Sequence, residues 1–389
     1  MSSQNDQNEE KKKFKILALD GGGIRGVVTA RILEEVQEIL GEDQPLNKYF
    51  DLIAGTSTGA IIAAGLAIGK TPKELREVYE DRGREIFHAS WLRKVISFFF
   101  GSKYSNKGLI KVLREELKPK GKNEEITWRK VSEISKAELL ILAYDTFSRN
   151  TTFFNSLTSK FEPKRWFNDM KLWEICTSSA SAPTFFPPYE FRWGDWKFPH
   201  VDGGVGANCP EMAALAHAML RGARIENISI LSIGTGRTTT PFKYKAMKYW
   251  GIFDWGSLGW ARRIADVFMG SQAQITTTTC QQIFKAINSD AYLRLQFDIN
   301  ERFEERSSED EPRKFLDTED QKNKFLHQKI NEEMDDASTK NIKKLLDAAK
   351  KFADTKKVDI GKFIEKNQEH QENQETQETN KVPATASLA

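Results

Sequence analysis

Cysteine, histidine and long apolar runs are all scarce in this chain, and each scarcity excludes something. Three cysteines, Cys176, Cys209 and Cys280, are odd in number and lack metal-type spacing, so neither a disulfide framework nor a zinc site follows from them. No run approaches the roughly 18 apolar residues of a membrane-spanning helix. The opening MSSQNDQNEEKKK has no apolar core that would serve as a signal peptide, so a reducing cytosol is the expected location. Neither sign of charge dominates: 58 basic residues face 55 acidic ones, a net charge of +3 that gives no reason to expect a nucleic-acid partner. Only five histidines exist to serve as a general base. What remains is the composition of a soluble globular protein, 39% hydrophobic and 29% charged, and 389 residues allow one large domain or two ordinary ones.

The stretch Tyr49 to Leu66 carries the clearest grammar. An apolar run (Phe50, Leu52, Ile53, Ala54) stops at Gly55, Thr56-Ser57-Thr58-Gly59 follows, and an Ala/Ile run of helical character comes next. Strand, tight turn and helix are the setting in which a G-x-S-x-G match has chemical meaning. Gly55 and Gly59 let the chain reverse sharply. Ser57 then stands at a helix N-terminus, whose unpaired N–H groups favour a developing negative charge. The competing reading is a helix cap, a common use of Ser and Thr.

Upstream, the apolar strand Phe14 to Leu19 runs into Asp20-Gly21-Gly22-Gly23-Ile24-Arg25-Gly26 and then into a helical pattern through Leu40. With the strand of Phe50 to Ala54 this makes a βαβ unit and predicts a parallel sheet covered by helices. Gly21, Gly23 and Gly26 satisfy G-x-G-x-x-G, the dinucleotide fingerprint. That motif wants an acidic residue closing the second strand, whereas Asp51 opens it. A phosphate-binding P-loop wants Lys and Ser/Thr where Val27 and Val28 stand. The third reading is an oxyanion hole, in which successive glycines let amides converge on one point. Only this reading gives the glycines and Ser57 a common task.

Further along, Thr71 to Leu117 reads as helical and charged. It contains Trp91 to Phe100, an apolar patch with Arg93 and Lys94 that reads either as a buried helix end or as an element touching lipid. Leu139 to Tyr144 predicts a buried strand, with Phe153 and Phe154 in or beside a neighbour. Lys171 to Ser179 begins a helix cut by Ala182-Pro183, and Thr184 to Pro188 reads as a rigid turn. Then comes His200-Val201-Asp202-Gly203-Gly204, either a chemical loop or a plain turn, followed by a helix from Glu211 to Arg221 and a strand from Ile228 to Ile233. Phe242 to Gly270 is aromatic-rich, with Trp250, Phe253, Trp255 and Trp260 as a second candidate lipid-facing patch, and core filling as the alternative. Tyr292 to Phe297 alternates like a strand, Asn300 to Asp320 reads as a charged surface loop, and Lys340 to Phe352 as an amphipathic helix. Residues 1–13 and 361–389 are polar enough to be expected as disordered tails flanking one domain, 14–360.

DGGGIRG (Asp20 to Gly26), GTSTG (Gly55 to Gly59), ASAP (Ala180 to Pro183) and DGG (Asp202 to Gly204), in that order, resemble the motifs of the patatin-like phospholipase family. The resemblance extends from about Lys13 to about Lys357. It implies a three-layer α/β/α sandwich with a mainly parallel central sheet, and a Ser–Asp dyad that hydrolyses glycerolipid acyl esters without metal or cofactor. Ser57 would be the nucleophile, Asp202 its base, and the amides of Gly21, Gly22 and Gly23 the oxyanion hole. Asp20, Arg25, Gly26, Gly55, Gly59, Gly203 and Gly204 would support them. Asn208-Cys209-Pro210 departs by one residue from the Asn-Pro that often follows the DGG box. The implied partner is a glycerolipid in a membrane or micelle, met through transient contact of a cytoplasmic protein peripheral to the membrane.

Residue chemistry points the same way. A serine nucleophile needs a base, and of the histidines only His200 adjoins a chemical loop. Asp202 has glycines beside it that allow close approach to Ser57. An ordinary Asp, with pKa about 3.9, is a weak base near neutrality, and burial would strengthen it. The rival expectations are a nucleotide-binding α/β protein that uses the Gly21 to Gly26 loop, and a catalytically idle lipid-binding protein of the same fold.

Overall fold

The central sheet starts with β1 (Phe14–Leu19), where the alternation of side chains decides the whole architecture. The computed structural model describes residues 13–88, 101–119, 123–157, 162, 164–240, 244, 260–300 and 329–379, with backbone alone for 260–265 and 369–379. The glycine loop after β1 leads into α1 (Gly26–Leu40), then β2 (Leu52–Thr56), α2 (Thr58–Ala67), α3 (Pro72–Ile86), α4 (Asn106–Glu116) and α5 (Trp128–Ile134). Next come β3 (Glu138–Asp145), β4 (Asn150–Asn155), α6 (Leu172–Ala180), β5 (Tyr189–Trp193), β6 (Trp196–Asp202), α7 (Glu211–Leu220), β7 (Ile228–Ile233), α8 (Trp260–Ala286), β8 (Tyr292–Leu295) and α9 (Thr339–Thr379).

Parallel pairing gives the order β3-β2-β1-β7-β8, flanked by antiparallel β4, β6 and β5. Successive side chains of a strand face opposite ways, and both faces are apolar here. Leu17, Leu19, Ile53, Leu139, Ile141, Leu231 and Ile233 pack with buried residues of α1, α2, α3, α4, α6 and α9. Ile16, Leu52, Ala54, Leu140, Ile228 and Ile230 pack against Ala214 and Leu215 of α7 and Cys280 and Phe284 of α8. The result is a three-layer α/β/α sandwich with a mainly parallel sheet, the architecture expected from the motifs. Among the described residues no helix is long and apolar enough to cross a membrane.

The register of β3 positions the site. Residues Leu140–Leu142 pair with β2 on one edge and β4 on the other. Ala143–Asp145 still pair with β4, so their second edge is open beyond the end of β2, and β6 fills it with Ala143 opposite Asp202. Thr56 is opposite Leu142. The last residue of β6 therefore occupies the next position along β3 after the last residue of β2.

Several expectations change. The strand expected at Phe50 starts at Leu52 and runs through Thr56, because Tyr49 and Phe50 belong to a short helix end packed beneath it. Among the described residues, the helical region beginning at Thr71 holds α3 and α4. Its start is a capping box between Thr71 and Glu74 with Pro72 at the first position. The β5–β6 hairpin was not expected at all. α9 continues past residue 360, with Ile360, Phe363, Ile364 and Asn367 buried. The spacing of Ile360, Phe363 and Ile364 carries the apolar stripe of α9 beyond the point where the composition turns polar. The 1–12 tail, the patch Trp91 to Phe100, the residues Trp250, Phe253 and Trp255, the side chain of Trp260, the charged stretch 301–320 and the end of the C-terminal tail lie outside the described residues.

Candidate active site

Ser57 is where the chain turns from β2 into α2, and its backbone is held at φ 55° and ψ −120°. A non-glycine residue rarely occupies such a conformation, which costs on the order of 1–3 kcal/mol and persists only when its surroundings enforce it. The enforcement is visible. Ser57 N–H donates to Ser179 Oγ at 2.9 Å, and Ser57 C=O accepts from the amides of Ala60 and Ile61. Ser179 Oγ in turn donates to Leu142 C=O at 2.6 Å. On either side of the elbow a Cβ is impossible: one at Gly55 would strike the Gly59 carbonyl, and one at Gly59 the Leu19 carbonyl.

Asp202 meets this serine from β6. Ser57 Oγ donates to Asp202 Oδ2 at 2.5 Å, with Ser57 8% and Asp202 4% exposed. Asp202 N–H donates to Ser181 C=O and Gly203 N–H to Ser179 C=O, so the end of α6 ties the carboxylate's backbone to the serine's support. The other carboxylate oxygen, Oδ1, accepts from Gly204 N–H at 2.7 Å. Burial pushes the Asp202 carboxyl up to about 6, with the Ser57 and Gly204 hydrogen bonds opposing the rise. A carboxylate of that strength accepts a proton near neutral pH far better than an ordinary one.

The glycine loop lies beside the pair, but its three amides are not equivalent. Gly21 N–H is spent on Asn208 C=O at 3.0 Å, so the expected three-amide hole loses this member. The loop must be tethered to the turn after β6, and Gly21 supplies the tether. Gly22 and Gly23 line the same cavity as Ser57 and Asp202, and neither amide has a protein acceptor among the described residues. Gly23 adopts φ 60° and the next residue, Ile24, bonds Met334 C=O at 2.8 Å. Thr58 opens α2, so its amide has no intrahelical acceptor and also faces this region.

The supporting residues act at a distance. Asp20 is buried and gripped by Arg294 of β8, with Asp20 Oδ1 2.9 Å from one guanidinium nitrogen and Oδ2 against the other. Arg294 also donates to Ser232 at 2.6 Å. Arg25 is buried outside the cavity lining and bonds Glu332 C=O at 3.4 Å; burial lowers its pKa against the pull of Asp266, Glu332 and Glu333. Gly26 begins α1 against Thr58 and Tyr79. His200, the alternative base, is fully buried beside Trp166, with its ring nitrogens at Thr152 Oγ1 (3.2 Å) and Phe198 C=O (3.0 Å). Burial lowers its pKa, and no histidine is among the described residues lining the cavity.

The cavity has a volume of about 490 Å³, and Ser57 and Asp202 are part of its lining. Ile61, Ile86, Phe87, Leu109, Phe185 and Phe186 make much of its wall. A buried serine–carboxylate pair, free amides beside it and an apolar chamber behind are the parts of an acyl-transfer site.

Residues 17–215, half of the chain, match the family model of the patatin-like phospholipases. The chain belongs to the patatin-like phospholipase family. Patatin-like protein 1 of Arabidopsis thaliana is 31% identical over 322 residues, 74% of this chain and 75% of its own. Patatin-like protein 2 of Oryza sativa subsp. indica is 29% identical over 328 residues, 75% of this chain and 78% of its own. A Solanum tuberosum relative named "Probable inactive patatin-3-Kuras 1" is 30% identical over 313 residues, 72% of this chain and 78% of its own. Membership in the family therefore does not by itself carry activity. Among solved structures, human GIVD cytosolic phospholipase A2 overlaps with a TM-score of 0.49 at 11% identity, covering 93% of this chain and 61% of that one. At that level it adds nothing to the family assignment.

Three residues of this patatin-like site escaped the sequence reading. Ser179 precedes the ASAP box in a serine-rich helix end and shows no signal of its own. Arg294 lies 274 residues from its partner Asp20. Gln272 of α8 accepts from Asn208 N–H at 3.0 Å and donates to Gly206 C=O, clasping the turn after Asp202.

Proposed function

We propose that this chain is a serine lipid acyl hydrolase acting on glycerolipid esters, with Ser57 as nucleophile and Asp202 as its base. The observation that carries the reading is the 2.5 Å hydrogen bond from Ser57 Oγ to a buried carboxylate in the lining of a largely apolar cavity. In acylation Ser57 Oγ attacks the ester carbonyl carbon while its proton passes to Asp202 Oδ2. The carbonyl oxygen becomes an oxyanion stabilised by the amides of Gly22, Gly23 and Thr58. Collapse expels the glyceryl alkoxide, which takes the proton from Asp202, and leaves the acyl group on Ser57. A water then gives its proton to Asp202, attacks the acyl carbon and releases the fatty acid, the proton returning to Ser57. The substrate resides in a membrane or micelle, so the chain meets that surface transiently. This is phospholipase A or related acyl-hydrolase chemistry.

The test uses a soluble p-nitrophenyl ester and a fluorophosphonate probe. Wild type hydrolyses the ester and is labelled; Ser57→Ala, with unchanged melting, does neither. Hydrolysis by Ser57→Ala above a few per cent of wild type sinks the nucleophile assignment. A wild type that binds lipid vesicles but neither turns over nor takes the label is instead an idle lipid-binding member of the family.

A further inference from the structure

The glycine loop is fixed on both flanks of its two free amides. On the upstream flank Gly21 N–H donates to Asn208 C=O, and Gly21 C=O accepts from Thr235 Oγ1 at 3.0 Å. On the downstream flank Ile24 N–H donates to Met334 C=O at 2.8 Å, and Arg25 reaches Glu332 C=O at 3.4 Å. Contact is close here, because a Cβ on Gly23 would strike that same Met334 carbonyl. Residues 330–337 thus lie against the loop as a strap, and Met334 lines the cavity together with Gly22, Gly23 and Ser57. The strap is outside residues 17–215, the part of the chain that matches the family model.

Three side chains hold the strap in turn. Glu332 accepts from Thr239 Oγ1 at 2.9 Å, Thr240 Oγ1 at 2.6 Å and Asn300 Nδ2 at 2.8 Å. Asn341, in the first turn of α9, accepts from Asn331 N–H and donates to the carbonyls of Asn331 and Asp336. Asp335, the residue after Met334, is buried at 8% exposure. Its Oδ2 accepts from the Tyr104 hydroxyl at 2.7 Å and pairs with Lys103 Nζ. The amides of Lys103 and Tyr104 donate to the carbonyls of Thr184 and Phe185, at 2.9 and 2.7 Å, beside the cavity wall of Phe185 and Phe186. A buried carboxylate with a cationic and a hydroxyl partner is held in one place, and Met334 C=O is its immediate neighbour in the chain. Asp335 therefore spans from that wall to the glycine loop.

Given the hydrolase reading above, the amides must already be aimed at the oxygen that becomes negative. A loop free to swing loses that aim, and a misplacement of about 1 Å costs about 10²-fold in rate. We infer that residues 330–337 brace the oxyanion hole, and that Asp335 is a positioning residue for the Gly22 and Gly23 amides. Asp335 acts through Met334, and it makes the site depend on a segment far along the chain from Ser57. The amide of Thr58, held by α2, keeps its place without the strap and sustains residual activity.

The test measures kcat and KM of the full chain and its variants on phenyl butyrate and on O-phenyl thionobutyrate. Sulfur is larger than oxygen and a weaker acceptor, so a well-aimed hole favours the ester over the thionoester. Asp335→Ala should lower kcat on the ester about 10²-fold with KM within about threefold of wild type. The ester-to-thionoester ratio should shrink about tenfold. Asp335→Asn keeps an acceptor oxygen for Tyr104 and should bring kcat back to within about tenfold of wild type. A folded Asp335→Ala with wild-type kcat overturns the inference, and so does an equal loss on both substrates that leaves the ratio unchanged. If Asp335→Ala does not fold, Tyr104→Phe, which removes one hydroxyl, decides alone: kcat should fall about tenfold with a smaller ratio, and an unchanged ratio overturns the brace. A wild type inert on both substrates sinks the hydrolase reading and the brace with it. An active wild type with unaffected variants sinks the brace alone.

Discussion

Asp202→Asn separates what the carboxylate does for chemistry from what it costs the fold. Burial pushes the Asp202 carboxyl from the ordinary 3.8 up to about 6. An acid whose folded pKa is raised favours the fold fully below about pH 3.8, and that advantage is lost as the pH rises through about 6. The difference amounts to about 3 kcal/mol above pH 7. Asn removes this charge but turns an N–H toward Ser57 Oγ where an acceptor stood, which gives back about 1 kcal/mol. The variant should therefore be more stable than wild type by about 2 kcal/mol at pH 8, and by less than about 1 kcal/mol at pH 5. The same change should lower kcat by about 10⁴-fold, because dyad members act as a unit. Urea unfolding at both pH values and turnover of a soluble ester measure the two effects on one protein. In wild type, kcat/KM should fall about tenfold per pH unit below about 6, as the base is protonated. The reasoning fails if Asp202→Asn retains kcat within tenfold of wild type, or if its stability difference from wild type is the same at both pH values.

Two further outcomes follow from the support around the pair. Ser179→Ala should leave the Ser57 amide buried without its acceptor, cost about 1–3 kcal/mol in unfolding free energy, and lower kcat about 10²-fold by releasing the strained elbow; an unchanged kcat would show that Ser57 holds its conformation without Ser179. Arg294→Met should strand the buried Asp20 charge and cost about 3–5 kcal/mol, with Asp20→Asn in the same chain restoring much of the loss; failure of that second change to restore stability would mean the pair is not what holds the glycine loop.

The elements that carry short-range signals were legible in the sequence. Phe14 to Leu19, the Gly55 to Gly59 elbow and Ile228 to Ile233 announce themselves through apolar runs closed by glycine, and the parallel sheet follows from their order. Ser57 and Asp202 were readable because each adjoins glycines that open the backbone around it, and the structure sets them 2.5 Å apart. The β5–β6 hairpin was hidden because Pro199 interrupts its second strand and argues against a sheet position. Gly21 illustrates a different limit. Loop composition suggests converging amides but does not reveal which one Asn208 C=O consumes. The continuation of α9 past residue 360 was hidden because average polarity outweighed three apolar residues, Ile360, Phe363 and Ile364, whose spacing is helical.

That β6 takes up the edge of β3 where β2 leaves it has a consequence for how this protein tolerates change. The distance between nucleophile and base is counted in rungs of a ladder, so it is indifferent to the length of chain that links them. Insertions in the turns between Asp145 and Trp196 leave the count intact, and such surface connections absorb extra residues at little thermodynamic cost. A deletion of one residue within β6 is another matter. It carries Asp202 to the opposite face of the sheet, and a slip of two moves it about 7 Å along β3. Sequence drift in this region is thus free in the loops and quantised in the strand.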